Sequence, residues 1–337
     1  MPRNLYSQED IVYIKQPTRN LMVIIGVWPS SNERRSLFRK IYNFVLNLVS
    51  NFLFACEIIP GIIYWLMEES ARVRLQVTPI ILYAIMCAIQ YDIILARKSN
   101  IGQCWKHVEE DWQNVFVAND RNIMFRCAKT ARLLILICGV LMYFGVTTYR
   151  IILPLSRGNL ITDQNITIRP LACPVNFLFI DVQVSPFYEI IFTFQSLTGF
   201  LVVSTTTSAY GLLAYFVEHA TGQMKILICL MKDLVQGQWQ KEQEIDKKLA
   251  KVVEHQIRVH NFLQVVQYTM QEICLVEIVV NTLSICFMLY FTLLDWDIKN
   301  LGVVGSYAFN IINITIHIFL FCYTGEQLNN QVRSIGI

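Results

Sequence analysis

The sequence predicts an all-α fold, a polytopic membrane helical bundle of six spans with its N-terminus in the cytoplasm. Of the 337 residues, 54% are hydrophobic and only 16% are charged, whereas soluble domains carry roughly 25% charged residues. Six apolar segments are each long enough to cross the roughly 30 Å hydrocarbon core as a helix. These segments are residues 41–67, 75–95, 133–153, 186–216, 265–294 and 301–322.

The basic residues predict the orientation of these spans. Seven Lys or Arg residues precede the first span, seven lie between the second and third, seven lie between the fourth and fifth, and one follows the sixth. The intervening connections, counted together with Arg150 at the end of the third span, contain two, three and one. Because cytoplasmic loops carry an excess of Lys and Arg, the richer side is predicted to be cytoplasmic. This orientation argues against the commonest class of membrane receptor, whose N-terminus is outside.

Residues 1–40 are predicted to form a cytoplasmic N-terminal segment. The segment is polar, and Arg34, Arg35, Arg39 and Lys40 lie just ahead of the first span. It lacks the apolar stretch behind a short basic start that a cleavable signal peptide requires. We therefore expect the first span itself to act as the insertion signal.

Residues 41–322 are predicted to form the transmembrane helical domain, whose longest external connection is the outer loop 154–185. This loop contains the triplet Asn165-Ile166-Thr167, which is an acceptor sequence for N-glycosylation. Asn165 is therefore the predicted glycosylation site. Its position on the outer side agrees with the orientation that the basic residues predict.

Residues 217–264 form a long polar stretch that is predicted to be a cytoplasmic helical region. Glu244 and Lys248 stand four apart, as do Glu254 and Arg258, with the acid first, which is the favoured order on a helix. Apolar residues recur at helical spacing on one face. They are Ile245, Leu249, Val252, Val253 and Ile257. Two interpretations remain open: a solvated amphipathic hairpin, or a packing domain that holds subunits together.

A second amphipathic stretch lies between the second and third spans. Its apolar stripe has a spacing of three to four residues, which is typical of one helix face. The stripe consists of Trp105, Val108, Trp112, Val115 and Phe116. We expect it to pack against the helices of region 217–264.

Several ionisable residues lie inside the predicted spans, where they are energetically expensive. Glu57 lies in the middle of the first span and Glu277 in the fifth. One interpretation is an ion path or a proton relay. The alternative is a carboxyl group that faces the bundle and is hydrogen-bonded there. Asp92 and Glu189 are near span ends and are expected to reach the membrane interface.

Aromatic and aliphatic side chains collect near the outer ends of the second, third, fourth and sixth spans. A pocket lined by such groups would bind a small apolar ligand through burial and ring contacts. The candidate ligand-binding residues are Tyr83, Gly145, Tyr149, Phe187, Tyr188, Ile191, Phe192 and Tyr307. The alternative for each residue is that it belongs to an interfacial aromatic belt or to the lipid-facing surface.

Enzymatic, metal-binding and nucleic-acid-binding functions find little support. His255 and His260 stand five apart, which does not place both on one helix face as the metal-binding spacing of four does. The sequence lacks a nucleophile elbow, a phosphate loop and a dinucleotide fingerprint. We therefore expect no catalytic residue, no cofactor, no metal and no nucleic-acid partner.

Several short motifs resemble those of one known family. They are 25–30 (Ile-Gly-Val-Trp-Pro-Ser), 215–227 at the inner end of the fourth span, His255-Gln256, Phe262, Gln271-Glu272, and 321–328 (Phe-Cys-Tyr-Thr-Gly-Glu-Gln-Leu). Together they resemble the insect odorant receptors over nearly the whole chain. The motif at 321–328 is the most specific. The related insect gustatory receptors are an alternative within the same superfamily, and a G-protein-coupled receptor or a transporter is an alternative outside it.

The resemblance implies a ligand-gated, non-selective cation channel. Family members have seven spans and assemble as tetramers with a common co-receptor subunit in the plasma membrane of sensory neurons. The family resemblance also implies a pocket for a small volatile among the outer halves of the second to fourth and sixth helices, and a subunit anchor at the cytoplasmic ends of the fourth to seventh helices. Because the family continues into a last, pore-lining span, we expect residues 323–337 to be a truncated cytoplasmic tail.

Overall fold

The fold is given by a computed structural model that describes residues 5–29, 37–158, 160–161, 167–177, 181–237, 242–294 and 301–335. Its α-helices are α1 (Leu5–Ile24), α2 (Leu37–Met67), α3 (Ala71–Ala96), α4 (Lys98–Asn114), α5 (Ala118–Thr147), α6 (Leu153–Arg157), α7 (Phe187–Gln236), α8 (Glu242–Leu294) and α9 (Leu301–Ile335). A π-helical turn, Thr148–Ile152, joins α5 to α6. In the outer loop, β1 (Leu160–Ile161) pairs antiparallel with β2 (Thr167–Ile168).

The predicted helical membrane architecture is confirmed. Among the described residues, six helical stretches are long and apolar enough to cross a membrane, and they fall on α2, α3, α5 with the turn that follows it, α7, α8 and α9. Helices α7 and α8 contain 50 and 53 residues, which corresponds to roughly 75–80 Å at 1.5 Å per residue. Both therefore extend well beyond the hydrocarbon core, and together they cover most of the predicted cytoplasmic region 217–264.

Helix α7 is the central helix of the bundle and packs against α1, α2, α3, α5, α8 and α9. Its middle is rich in small residues, with the sequence Ser-Thr-Thr-Thr-Ser-Ala-Tyr-Gly at 204–211. Small side chains let neighbouring helices approach closely within a membrane. The hydroxyls of Ser204 and Thr205 donate to the carbonyls of Phe200 and Leu201, one turn earlier. These two hydroxyls are thus satisfied within the helix while it packs against its neighbours.

Gly199 of α7 packs closely against the end of α5 and the turn that follows it. A Cβ atom at this position would lie 2.9 Å from Val146 Cγ2 and 3.1 Å from Arg150 Cγ. We expect Gly199→Ala to lower the free energy of unfolding by roughly 1–3 kcal/mol, because an added methyl group must push the two helices apart. Thermal unfolding in detergent or nanodiscs would measure the loss. Gly305→Ala is the matched control, since open space surrounds that position; an equal loss in both variants would contradict the prediction.

The aromatic stripe of α4 packs as predicted over most of its length. Trp105, Val108 and Trp112 are buried, and Trp105 stacks on Tyr215 of α7 with ring centroids 4.7 Å apart. The prediction is wrong for Phe116, which is 70% exposed. Helix α4 ends at Asn114 and the next residue is extended, so the helical spacing that would have turned Phe116 inward no longer applies.

Helix α1 was not expected from the polar N-terminal sequence. It packs against α4, α5 and α7, and Met22, Ile25 and Val27 at and beyond its end are fully or almost fully buried. The hydroxyl of Tyr91 donates to the carbonyl of Ile25 at 3.1 Å and so ties this segment to α3. The helix contains Pro17, and proline normally ends or kinks a helix, so the sequence pattern did not predict a helix here.

An ionic cluster joins α4, α7 and α8 at the predicted cytoplasmic end. Asp111 contacts His219 Nε2 at 2.9 Å and Arg258 Nε at 2.6 Å. Burial alone would raise the pKa of Asp111, but the hydrogen bond and charge of His219 and the charge of Arg258 hold that pKa below its usual value. The carboxylate is therefore ionised and links three helices.

Candidate functional site

The π-helical turn Thr148–Ile152 places a basic side chain inside the outer half of the bundle. Such turns are rare and occur frequently at functional sites. Arg150 lies in this turn and is only 7% exposed. Its Nη2 atom donates to Glu57 Oε1 of α2 at 2.6 Å, and its Nη1 atom donates to the carbonyl of Gln195 of α7 at 3.4 Å. One guanidinium group therefore connects α2, α7 and the end of α5.

The second oxygen of the Glu57 carboxylate, Oε2, has a different environment from Oε1. Glu57 is 3% exposed, and its Oε2 atom is buried without a hydrogen-bond partner among the described residues. A buried acceptor without a partner is energetically costly. The carboxylate therefore retains one acceptor oxygen with unused capacity.

The end of the outer loop folds back against α2 and α7. The Gln195 side chain donates to the carbonyl of Cys173 at 2.7 Å and accepts from its N–H at 3.3 Å. The N–H of Asn176 donates to the carbonyl of Pro60 at 3.2 Å. Burial raises the pKa of the Cys173 thiol to about 12, so this cysteine is a neutral, unreactive thiol.

A cavity of about 280 Å³ lies between α2, α7 and this loop segment. Its walls are mainly aromatic and aliphatic, with a carboxylate, an amide and a hydroxyl among them. The lining residues are Cys56, Glu57, Phe177, Phe187, Ile190, Ile191, Phe194, Gln195 and Thr198. The volume is near the lower end for small-molecule pockets, which are typically apolar with a few polar groups that orient the ligand.

Two of the sequence-predicted binding residues, Phe187 and Ile191, line this cavity. Tyr188 and Phe192 lie beside them on α7 and stack on each other, with ring centroids 6.1 Å apart. The Tyr188 hydroxyl donates to the carbonyl of Pro170 in the outer loop at 3.0 Å. The four predicted residues of α7 thus form two neighbouring groups, only one of which faces the cavity.

The other predicted residues are distributed around the outer bundle. The Tyr149 hydroxyl donates to the carbonyl of Ala172 at 3.3 Å, and Gly145 lies close to Asn313 of α9. The Tyr307 ring is 6.5 Å from that of Phe291, and Tyr83 packs against the main hydrophobic core. The structure therefore does not gather the whole predicted set around one cavity. Asn165, the predicted glycosylation site, lies outside the described residues.

The ion pair of Glu57 and Arg150 was not predicted, although the sequence contained a signal for it. Glu57 was recognised as an intramembrane carboxylate, and Arg150 as a basic residue at a span end. Opposite charges in the outer halves of two spans are expected to pair, because an unpaired charge in the membrane is costly. Glu57 lies ten residues and Arg150 three residues from the outer ends of their predicted spans, so the signal was the opposite charge of the two residues and not a shared depth.

The second intramembrane carboxylate, Glu277 of α8, forms a separate buried network. It accepts a hydrogen bond from Gln90 of α3, one from Asn281 Nδ2 at 2.6 Å, and contacts His317 Nδ1 of α9 at 3.0 Å. All four residues are at most 3% exposed. Both carboxylates thus face the bundle and are hydrogen-bonded. This favours the interpretation of hydrogen-bonded carboxyl groups within the bundle over that of an ion path or a proton relay.

The cavity, with its mainly apolar walls and few polar groups, has the features of a small-molecule binding site. The cavity offers apolar surface and one anchored carboxylate, and its neutral ion pair holds the surrounding helices in place. Within the part of the chain that the structure describes, no group of three or more His, Cys, Asp or Glu side chains could hold a metal ion.

Comparisons with known proteins agree on the fold. A chain of the insect olfactory receptor OR5 from Machilis hrabei matches with a TM-score of 0.72 and 17% sequence identity, over 96% of this chain and 82% of that one. The same receptor in complex with eugenol matches with a TM-score of 0.70 and 18% identity over the same shares. No curated protein matches the sequence.

A comparison of the sequence with models of protein families identifies the family of this chain. The model of the 7tm odorant receptor family matches residues 71–337, which is more than three quarters of the chain and includes all predicted spans except the first. This match agrees with the multi-pass helical membrane fold. It also agrees with the resemblance of the sequence motifs to the insect odorant receptors. The chain therefore belongs to the 7tm odorant receptor family.

Proposed function

We propose that this chain is an odorant receptor subunit that binds a small, largely apolar volatile in the cavity between α2, α7 and the outer loop. This cavity borders the first and fourth spans, and not the second, third and sixth spans that the family resemblance also implies. The observation that carries the proposal is the cavity itself, which is lined by apolar side chains of the outer bundle and includes Phe187 and Ile191. The complex of the Machilis hrabei receptor with eugenol supports a small organic ligand. Tyr83, Gly145, Tyr149, Tyr188, Phe192 and Tyr307 stay predictions for ligand contacts.

We further propose that the subunit acts in a ligand-gated cation channel with a common co-receptor, in the plasma membrane of a sensory neuron. The cytoplasmic part of α8 supports assembly with other subunits. Ile245, Leu249, Val253 and Ile257 are each 39–55% exposed there, while Val252 of the same stripe is buried within the chain. An exposed apolar face on a helix beyond the membrane favours a protein partner.

The proposal is tested in two steps that separate binding from conduction. The chain in nanodiscs is first titrated with a panel of volatiles, and ligand binding is detected as a rise in unfolding temperature. The chain is then expressed with the co-receptor, and currents evoked by the binding volatiles are compared with those of the co-receptor alone. The absence of any thermal shift would contradict the ligand site. Binding without an additional current would contradict the channel role only.

The cavity wall offers a direct mutational prediction. We expect Ile191→Ala to weaken the affinity for an apolar ligand roughly 4- to 60-fold, because the change removes three carbon atoms and burial of each against the ligand is worth about 0.8 kcal/mol. Leu197→Ala is the matched control, since Leu197 lies on the same helix, is 50% exposed and does not line the cavity. Equal affinities of the Ile191 variant and the wild type would place the ligand elsewhere.

A further inference from the structure

We propose that the cytoplasmic end of α5 binds the phosphate group of an anionic phospholipid of the inner leaflet, between the side chains of Lys129 and Arg132. This site is separate from the outer cavity and goes beyond odorant binding. Lys129 is exposed and Arg132 is partly exposed, so both charged groups can be reached by a ligand. Arg and Lys are the side chains that bind phosphate groups in proteins.

The exposed apolar face of α5 continues in register into these two residues. Leu133, Leu136 and Val140 are each 57–61% exposed, and their spacing of three to four residues places them on one helix face. Lys129 stands four residues before Leu133, and Arg132 stands four before Leu136. Because such an apolar stripe on a membrane-spanning helix is the surface that the bilayer covers, the two basic residues also border the bilayer.

The depth of the two basic residues agrees with that of the lipid headgroups. The third predicted span begins at Leu133, so Arg132 and Lys129 lie one and four residues outside its inner end. This spacing corresponds to about 1.5 and 6 Å along the helix. The headgroup layer adds roughly 5–8 Å on each side of the hydrocarbon core. A lipid phosphate therefore lies at the level of both side chains.

Aromatic rings hold both charged groups in place. The guanidinium carbon of Arg132 lies 4.0 Å from the centre of the Tyr13 ring of α1, and Lys129 Nζ lies 4.8 Å from that of Phe125. The two ring centres are 6.0 Å apart. Arg132 Nη1 also donates to the carbonyl of Tyr13 at 2.9 Å, which uses one of the five N–H donors of a guanidinium group. The cluster thus positions two cations and leaves donors for a ligand.

The charge of this cluster favours an anionic lipid over a zwitterionic one. Within the described ranges, neither Lys129 nor Arg132 forms a salt bridge, whereas Arg121 of the same helix pairs with Asp10 of α1 at 2.6 Å. Basic residues at the cytoplasmic surface attract anionic lipids. The positive charge that orients a membrane protein does not require two cations fixed on neighbouring rings, so the arrangement indicates a site rather than a diffuse charge.

The first test compares two lipids with identical acyl chains. The chain in a neutral detergent is titrated with dioctanoyl phosphatidylglycerol or with dioctanoyl phosphatidylcholine, and the dissociation constants are taken from the lipid-dependent rise in unfolding temperature. Each basic residue near the headgroups contributes about fivefold to the affinity for an anionic lipid. We expect phosphatidylglycerol to bind roughly tenfold or more tightly than phosphatidylcholine, and inorganic phosphate not to compete with it.

Variants then assign the preference to the cluster. Lys129→Gln/Arg132→Gln should weaken the affinity for phosphatidylglycerol roughly 10- to 30-fold. Lys247→Gln/Lys251→Gln is the matched control, because it removes the same charge from exposed residues of α8 that lie about 20 Å or more from the fifth predicted span; we expect no change. Tyr13→Leu keeps both charges but removes the ring under Arg132, and it should weaken the affinity roughly two- to fivefold.

Several outcomes would overturn the proposal. Equal affinities of the wild type for the two lipids would do so, as would competition by inorganic phosphate, which would indicate a site for a soluble anion. Equal losses in the two double variants, or unchanged affinity in Tyr13→Leu, would show attraction by net charge without a built site. If the Lys129/Arg132 variant does not fold, the wild-type preference and the Tyr13 variant decide. None of these results bears on odorant binding in the outer cavity.

Discussion

Replacing Arg150 by methionine should lower the free energy of unfolding by about 3–5 kcal/mol, because it leaves the Glu57 carboxylate buried without its charged partner. Arg150 Nη2 lies 2.6 Å from Glu57 Oε1, and both side chains are almost fully buried. The same change removes the bond to the Gln195 carbonyl. Thermal or denaturant unfolding in nanodiscs, together with surface expression in cells, would measure the effect.

The double variant Glu57→Leu/Arg150→Met tests the cause. If the destabilisation comes from an isolated charge, removal of both charges should restore most of the lost stability, because apolar residues of similar volume often replace a buried ion pair at little cost. Arg169→Met is the matched control. Arg169 pairs with Glu189 at 2.9 Å on the exposed surface, where such pairs contribute at most about 1 kcal/mol. A double variant as unstable as Arg150→Met would contradict this explanation.

The second large effect is expected at Glu277. Glu277→Leu should lower the free energy of unfolding by about 3 kcal/mol or more, because it leaves donors on Gln90, Asn281 and His317 buried without their acceptor, and each such group costs about 1–3 kcal/mol. The network joins α3, α8 and α9. The same unfolding measurements apply. Glu277→Gln keeps one acceptor oxygen, so it should lower the free energy of unfolding by less than Glu277→Leu does.

Glu272→Leu is the matched control for this network. Glu272 lies on the same helix, but its side chain is 47% exposed and pairs with Arg97 at 2.8 Å. Its replacement should change the free energy of unfolding by about 1 kcal/mol or less. Similar losses at Glu272 and Glu277 would show that the buried network does not hold the three helices together.

The candidate site was only partly predictable. Phe187 and Ile191 were identified because they lie near the outer end of a span, and they do line the cavity. Tyr188 and Phe192 satisfy the same criterion yet stack on each other, because successive residues of a helix point about 100° apart and only one face of α7 borders the cavity. Depth in the membrane can be read from the position along a span, whereas the rotation of a helix about its axis depends on all its neighbours.

The missed helix α1 and the exposed Phe116 have local causes. Pro17 and a polar composition obscured a helix that is held by tertiary packing against α7. The predicted stripe of α4 runs two residues beyond the helix, to Phe116, because the helix ends at Asn114. Element boundaries of this kind are the least reliable part of a sequence-based prediction.

The sequence by itself determined the family and the number of segments long and apolar enough to span a membrane, and it predicts their orientation from the distribution of Lys and Arg. These properties depend on length, hydropathy and the distribution of Lys and Arg, since a backbone in the hydrocarbon core must satisfy its own hydrogen bonds whatever its neighbours are. Only the tertiary structure decided that Glu57 meets Arg150, 93 residues away, and that a cavity remains beside them. Such contacts arise from the packing and rotation of several helices at once, and no single segment of the sequence encodes them.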